Sequence, residues 1–156
     1  MISVERTEKA IIETIKTKIF PDDTEFTYIN GFLKPKKQEF SRERKSEEEE
    51  IDEYIPYILV RPDKIKIRED KTTNFLIRVV IKDSESTGYY KLFETVNKIM
   101  NYFNKNYFTK NYSIQFDDIT GSWNEDSTVG DYWGYDIKLP VILPTADTGS
   151  LMRDRD

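Results

Sequence analysis

The stretch Asn74-Phe75-Leu76-Ile77-Arg78-Val79-Val80-Ile81-Lys82 is the strongest β-type run in the chain. Successive side chains of a strand point to opposite faces. Phe75, Ile77, Val79 and Ile81 therefore form one wholly apolar side. Leu76, Arg78, Val80 and Lys82 form a mixed one. The apolar side demands a covering layer, whereas the mixed side is expected to be only partly covered, as in an antiparallel sheet with one wetter face.

Two segments have the spacing to supply that layer. Over residues 3–20, Val4, Ile11, Ile12, Ile15 and Ile19 recur at helical intervals. Ser3 is placed to cap this helix, Glu5 sits in its first turn, and Pro21 ends it. Over residues 89–105, Tyr89, Phe93, Val96, Met100 and Phe103 follow a four-three-four-three spacing, and Leu92 and Ile99 widen the stripe.

Shorter β signals surround these elements. A strand is expected at 25–29, ahead of the turn pair Asn30-Gly31. Residues 54–61 read as a strand bracketed by Pro56 and Pro62. Ile65 and Ile67 alternate with Lys64 and Lys66 in a half-exposed strand, and residues 70–72 can turn the chain. Tyr112, Ile114 and Phe116 alternate, and residues 132–139 form a last strand closed by Pro140 and Pro144. The expected fold is α+β: a mostly antiparallel sheet with two amphipathic helices on one face, in the order α-β-β-β-α-β-β. Residues 1–144 make one domain. It carries a charged insertion at 34–50, and a polar tail follows at 145–156.

Composition narrows the chemistry. The chain has 156 residues, enough for one core, and contains neither Cys nor His. Thiolate nucleophiles, Ser-His-Asp triads and His-bound zinc are excluded. No Gly-rich phosphate loop occurs. No apolar run approaches the roughly 20 residues of a membrane span, and the charged start lacks a signal-peptide core. No cofactor or metal is expected, and a cytosolic chain is. Charged residues are 34% and hydrophobic ones 37%, with ten Tyr and nine Phe. A thin aromatic core under a charged surface suits a subunit that gains stability by assembling.

Two segments stand out by charge. Residues 34–50 hold six basic and six acidic side chains. Either a solvated segment or a docking arm fits them, and Arg42, Arg44, Glu47 and Glu48 would be the arm's contacts. Residues 117–136 hold Asp117, Asp118, Glu125, Asp126, Asp131 and Asp136 with no Lys or Arg. A solvated acidic loop, a carboxylate cation site and a surface that faces DNA without gripping it are all compatible with this pattern. Around it lie Trp123, Tyr132, Trp133 and Tyr135. Alternation assigns Trp133 and Tyr135 to the core beside Ile137 and Leu139. Tyr132, on the opposite face, and Trp123 are the interface candidates, together with Leu76, Arg78 and Val80 of the mixed sheet face.

Three stretches resemble the tail terminator (tail completion) proteins of phages and prophages of Gram-positive hosts. They are Ile55-Pro56-Tyr57-Ile58-Leu59-Val60-Arg61; Gly88-Tyr89-Tyr90 leading into the helix through Met100; and Tyr132-Trp133-Gly134-Tyr135-Asp136-Ile137-Lys138-Leu139-Pro140. The resemblance spans residues 54–143, and the charged segment 34–50 is longer than it would predict. It implies a non-enzymatic virion protein at the head-proximal end of a tail, assembled in the host cytoplasm. Such a protein forms a ring, expected to be hexameric, on the major tail-tube protein, stops tube growth and meets the head connector while DNA passes through. A head-tail joining (stopper) protein and a carboxylate-metal hydrolase are the alternative expectations.

Overall fold

The computed structural model describes residues 2–33, 53–67, 71–109 and 112–143. The charged segment 34–50, with Arg42, Arg44, Glu47 and Glu48, and the tail 145–156 lie outside them.

The architecture is α+β. Helix α1 (Ile2–Thr14) runs on into a π-helical turn at Ile15–Ile19, closed by the Phe20 N–H donating to the Ile15 carbonyl at 2.9 Å. The helix begins at Ile2, so Ser3 lies inside it rather than capping it. Helix α2 (Tyr89–Lys105) matches its expected span. Six strands form one sheet: β1 (Thr27–Asn30), β2 (Tyr57–Ile67), β3 (Lys71–Lys82), β4 (Ser113–Ile114), β5 (Thr120–Trp123) and β6 (Tyr132–Ile142). The order is β1-β2-β3-β6-β4, and β5 also lies along β6. All pairings are antiparallel except β1 with β2, which is parallel.

Both helices pack on the same sheet face. Ile11, Ile12 and Ile15 of the first helical segment and Leu92, Val96, Ile99 and Phe103 of α2 share one buried cluster with Ile58, Val60, Phe75, Ile77, Val79, Ile137, Leu139 and Val141. Every aliphatic residue assigned to the apolar side of 74–82 is in it. That burial is the main favourable term in the fold, at about 1.5–3 kcal/mol per fully buried large side chain.

The expected strand through Tyr112, Ile114 and Phe116 is shorter, since β4 is only Ser113–Ile114 and Phe116 opens a 3-10 turn. Four further expectations need correction. Residues 54–61 and the Ile65/Ile67 stretch are one strand, not two, because Pro62 sits within β2 and the register shifts between Pro62 and Lys64. A proline is tolerated there because β1 pairs with the outer side of β2 only over Tyr57–Val60, and among the described residues no strand lies beside that side at Pro62. The last strand runs through Pro140 to Ile142. The acidic segment 117–136 is not loop alone up to the last strand: it contains β5, a sixth strand whose residues Thr-Gly-Ser-Trp carry no hydrophobic alternation. Finally, the mixed sheet face is not half-bare. Leu76 and Val80 are buried, and Val80 joins Tyr57 and Leu59 in a second cluster flanked by Ile29, Leu33, Tyr54 and Ile55. Leu76 and Val80 are therefore packing residues rather than open contacts.

Candidate partner-binding surface

On the face away from the helices, Arg78 of β3 and Asp136 of β6 stand directly opposite one another. The guanidinium grips the carboxylate with two bonds, Nε to Oδ1 at 2.8 Å and Nη2 to Oδ2 at 3.1 Å. Asn124, itself buried, donates its Nδ2 to Asp136 Oδ2 at 3.0 Å and accepts the Ser127 N–H at 2.8 Å. Thr128 Oγ1 donates to the Asn124 carbonyl at 2.8 Å and accepts the Gly134 N–H at 3.1 Å. The 124–128 turn is thereby sewn to the sheet. The hydrogen bond from Arg78 to Asp136 and their attraction hold the guanidinium more firmly protonated than usual, against the cost of its burial. Arg78, expected as an interface residue, is committed to this network.

Tyr57 lies under the same turn. Burial raises its phenol above the ordinary 10.0, opposed by Arg78 and by a hydrogen bond with Ser127. Burial likewise raises Tyr112, opposed by a hydrogen bond with Thr14. A phenol whose folded pKa is raised binds its proton more tightly when folded. Its contribution is fully present below the unfolded pKa, about 10, and is lost as pH rises through the folded value. Stability should therefore fall above about pH 10. Urea titrations across that range should show a shallower decline for Tyr57→Phe than for the parent chain. Identical slopes would mean that the Tyr57 phenol does not contribute.

On the helix side, aromatic rings link α2, β5 and β6. Phe93 meets Trp123 at 5.2 Å and Tyr135 at 5.4 Å between centroids, and Trp123 meets Tyr135 at 5.4 Å. Tyr89 joins Trp133 at 6.1 Å and Tyr90 at 4.3 Å. The patch reaches solvent, with Tyr90 62% and Trp123 38% exposed. Trp133 points inward, and its Nε1 donates to the Asp83 carbonyl at 3.0 Å. Gly88 makes room for it, since a Cβ there would come within 2.5 Å of that nitrogen. The second and third stretches singled out in the sequence thus pack on each other.

No protein-family model matches the chain, and no curated protein matches it. The surface is therefore interpreted from its own chemistry.

The acidic residues do not converge. Asp117 and Asp118 lie in a 3-10 turn before β5, and Glu125 and Asp126 in another after it, with Asp131 in the turn before β6. All five are exposed. The four-residue β5 between the two turns spans about 13 Å. Among the described residues, no three acidic side chains come close enough to hold a metal ion, and no helix is long and apolar enough to cross a membrane.

Tyr132 is half-buried, with the Lys82 ammonium 5.5 Å above its ring. Of the expected interface residues among those described, Trp123 is the one that stands at an exposed strand edge. Tyr90, one place off the core stripe, and Ile65 and Phe108, which are 64% and 78% exposed, were not among the expected interface residues. Phe108 borders a shallow groove with Tyr107, Phe116, Asp117 and Asp118.

Proposed function

We propose that the chain is a structural subunit of a bacteriophage-type tail, a ring-forming terminator that caps the tail tube, ends its polymerisation and offers the head connector a seat. DNA passes through the ring without specific contact, and the role is not catalytic. The observation that carries this reading is the open outer edge of β2. Strand β1 pairs with β2 only over Tyr57–Val60. Among the described residues, no strand lies beside 62–67, and exposed Ile65 stands on that edge. An open edge is a ready place for a second copy to join. A head-to-tail contact of this kind closes into a ring when its rotation permits. The resemblance over residues 54–143 supports the same role.

Native mass spectrometry of the purified chain should find a ring of fixed stoichiometry. Ile65→Asp should leave it monomeric, with a stability change within about 0.5 kcal/mol because the site is exposed. A parent chain that stays monomeric at high concentration, even with tail-tube protein added, would overturn the reading.

A further inference from the structure

The sheet has a second open edge, on β5. Thr120–Trp123 pairs with β6 on its inner side only, and all four residues are exposed. The Asn124 N–H donates to the Gly134 carbonyl at 2.9 Å. Peptide groups alternate along an antiparallel ladder, so those of Ser122 and Thr120 also face β6. Those of Gly121 and Trp123 face outward, and among the described residues no strand lies beside them.

The two open edges differ in kind. Along 62–67, β2 carries Pro62, a register shift and Lys64. Such features limit which strands can pair there, so a neighbour joining that edge must match an irregular stretch. Strand β5 has no proline, no bulge and no charge within it. Gly121 keeps it flat against its neighbour, because a Cβ there would come within 2.5 Å of the Tyr135 ring.

Side chains around β5 specify what would fit. Trp123 presents an exposed ring on the helix side, and the exposed ring of Tyr90 continues the same cluster through Tyr89 and Phe93. Glu94, Asn97 and Asn101 share the exposed face of α2 with Tyr90, and exposed Lys138 stands across from Thr120 on the other sheet face. Beyond the two ends of β5 stand Asp117 and Asp118, and Glu125 and Asp126. Among the described residues none of these four lies within ion-pair distance of a cation, though Asp126 adds to the negative field on Arg78.

We propose that the β5 edge is a docking site for an extended segment of a partner protein. The segment would pair its backbone with Gly121 and Trp123, lay apolar side chains on Trp123 and Tyr90, and place Lys or Arg at both ends against the flanking carboxylates. Backbone pairing supplies affinity here and side chains supply selectivity. Complementary charge at both ends fixes the register and raises the association rate. The proposal stands apart from the ring contact on β2 and does not depend on it.

The test uses the full chain and the synthetic peptide Lys-Arg-Thr-Val-Thr-Val-Lys-Arg. Controls are the same core with Glu and Asp ends, and the basic peptide N-methylated at alternate core amides. The basic peptide should bind at least about tenfold more tightly than the acidic one. N-methylation in the phase that faces β5 should abolish binding, and NMR shifts should centre on the Gly121 and Trp123 amides. Equal binding of basic and acidic peptides, indifference to N-methylation, or shifts centred elsewhere would each overturn the proposal. So would Gly121 and Trp123 amides already protected by self-association and deaf to every peptide, an outcome that assigns the edge to a second copy.

Discussion

Trp133→Ala is expected to cost about 3 kcal/mol, the low end for losing a large aromatic because this indole is not wholly buried. The loss has three sources. The indole gives up its contacts with Tyr89 and Trp123, at 6.1 and 6.4 Å. The Asp83 carbonyl loses the Nε1 donor. A cavity opens under the first turn of α2. Gly88→Ala alone should cost about 1–3 kcal/mol, because the new methyl meets both the indole and the Asp83 Cβ. Combined, the two changes should be strongly non-additive, since the methyl then enters space the indole has vacated. Urea midpoints at unchanged m-values measure all three chains. A Gly88→Ala penalty of the same size in both backgrounds would mean that close approach to Trp133 is not what excludes a side chain at Gly88, whose own backbone is ordinary right-handed helix.

This prediction bears on what the sequence could convey. Periodicity carries the parts of the fold that rest on burial. Residues 74–82 and 89–105 were legible because one face of each element is almost uninterrupted hydrocarbon, and the core indeed forms between them. The parallel docking of β1 on β2 was not legible, since nothing in Thr27–Asn30 distinguishes a parallel from an antiparallel partner. Nor was β5, whose four residues have weak β signals and owe their strand conformation to the neighbouring β6.

The candidate surface was legible in the same uneven way. Trp123 stood out as an aromatic in a polar loop. Leu76 and Val80 misled because alternation shows which residues share a face, not what folds over it. The residues packed around Val80, namely Tyr54, Ile55, Leu33 and Ile29, come from sequence-distant segments. Asn124 gave no signal at all. An asparagine in a loop is commonplace, and its burial follows only once Asp136 and Ser127 are brought to either side of it.

That network sets the second large expectation. Asp136→Ala should cost about 2–3 kcal/mol, less than the 3–5 kcal/mol for a wholly buried pair, because the two side chains remain 22% and 17% exposed and are partly screened by water. The cost arises chiefly from what is left behind. Arg78 keeps its charge with no carboxylate beside it, and the Asn124 amide loses its acceptor. Replacing both members of the pair with Arg78→Met/Asp136→Ala should therefore cost clearly less than the sum of the single changes, by about 1 kcal/mol or more. Strict additivity would show that the ion pair is not the coupling element. The consequence for the surface follows from connectivity. Asn124 immediately follows β5, and its position is fixed by Asp136 on one side and the 124–128 turn on the other. Releasing Asp136 should let the end of β5 fray, so hydrogen exchange at the Ser122 amide should accelerate well beyond the change in global stability. If exchange at that amide accelerates only in proportion to the loss of global stability, β5 is held by its ladder with β6 alone, and the polar network serves the turn without setting the edge.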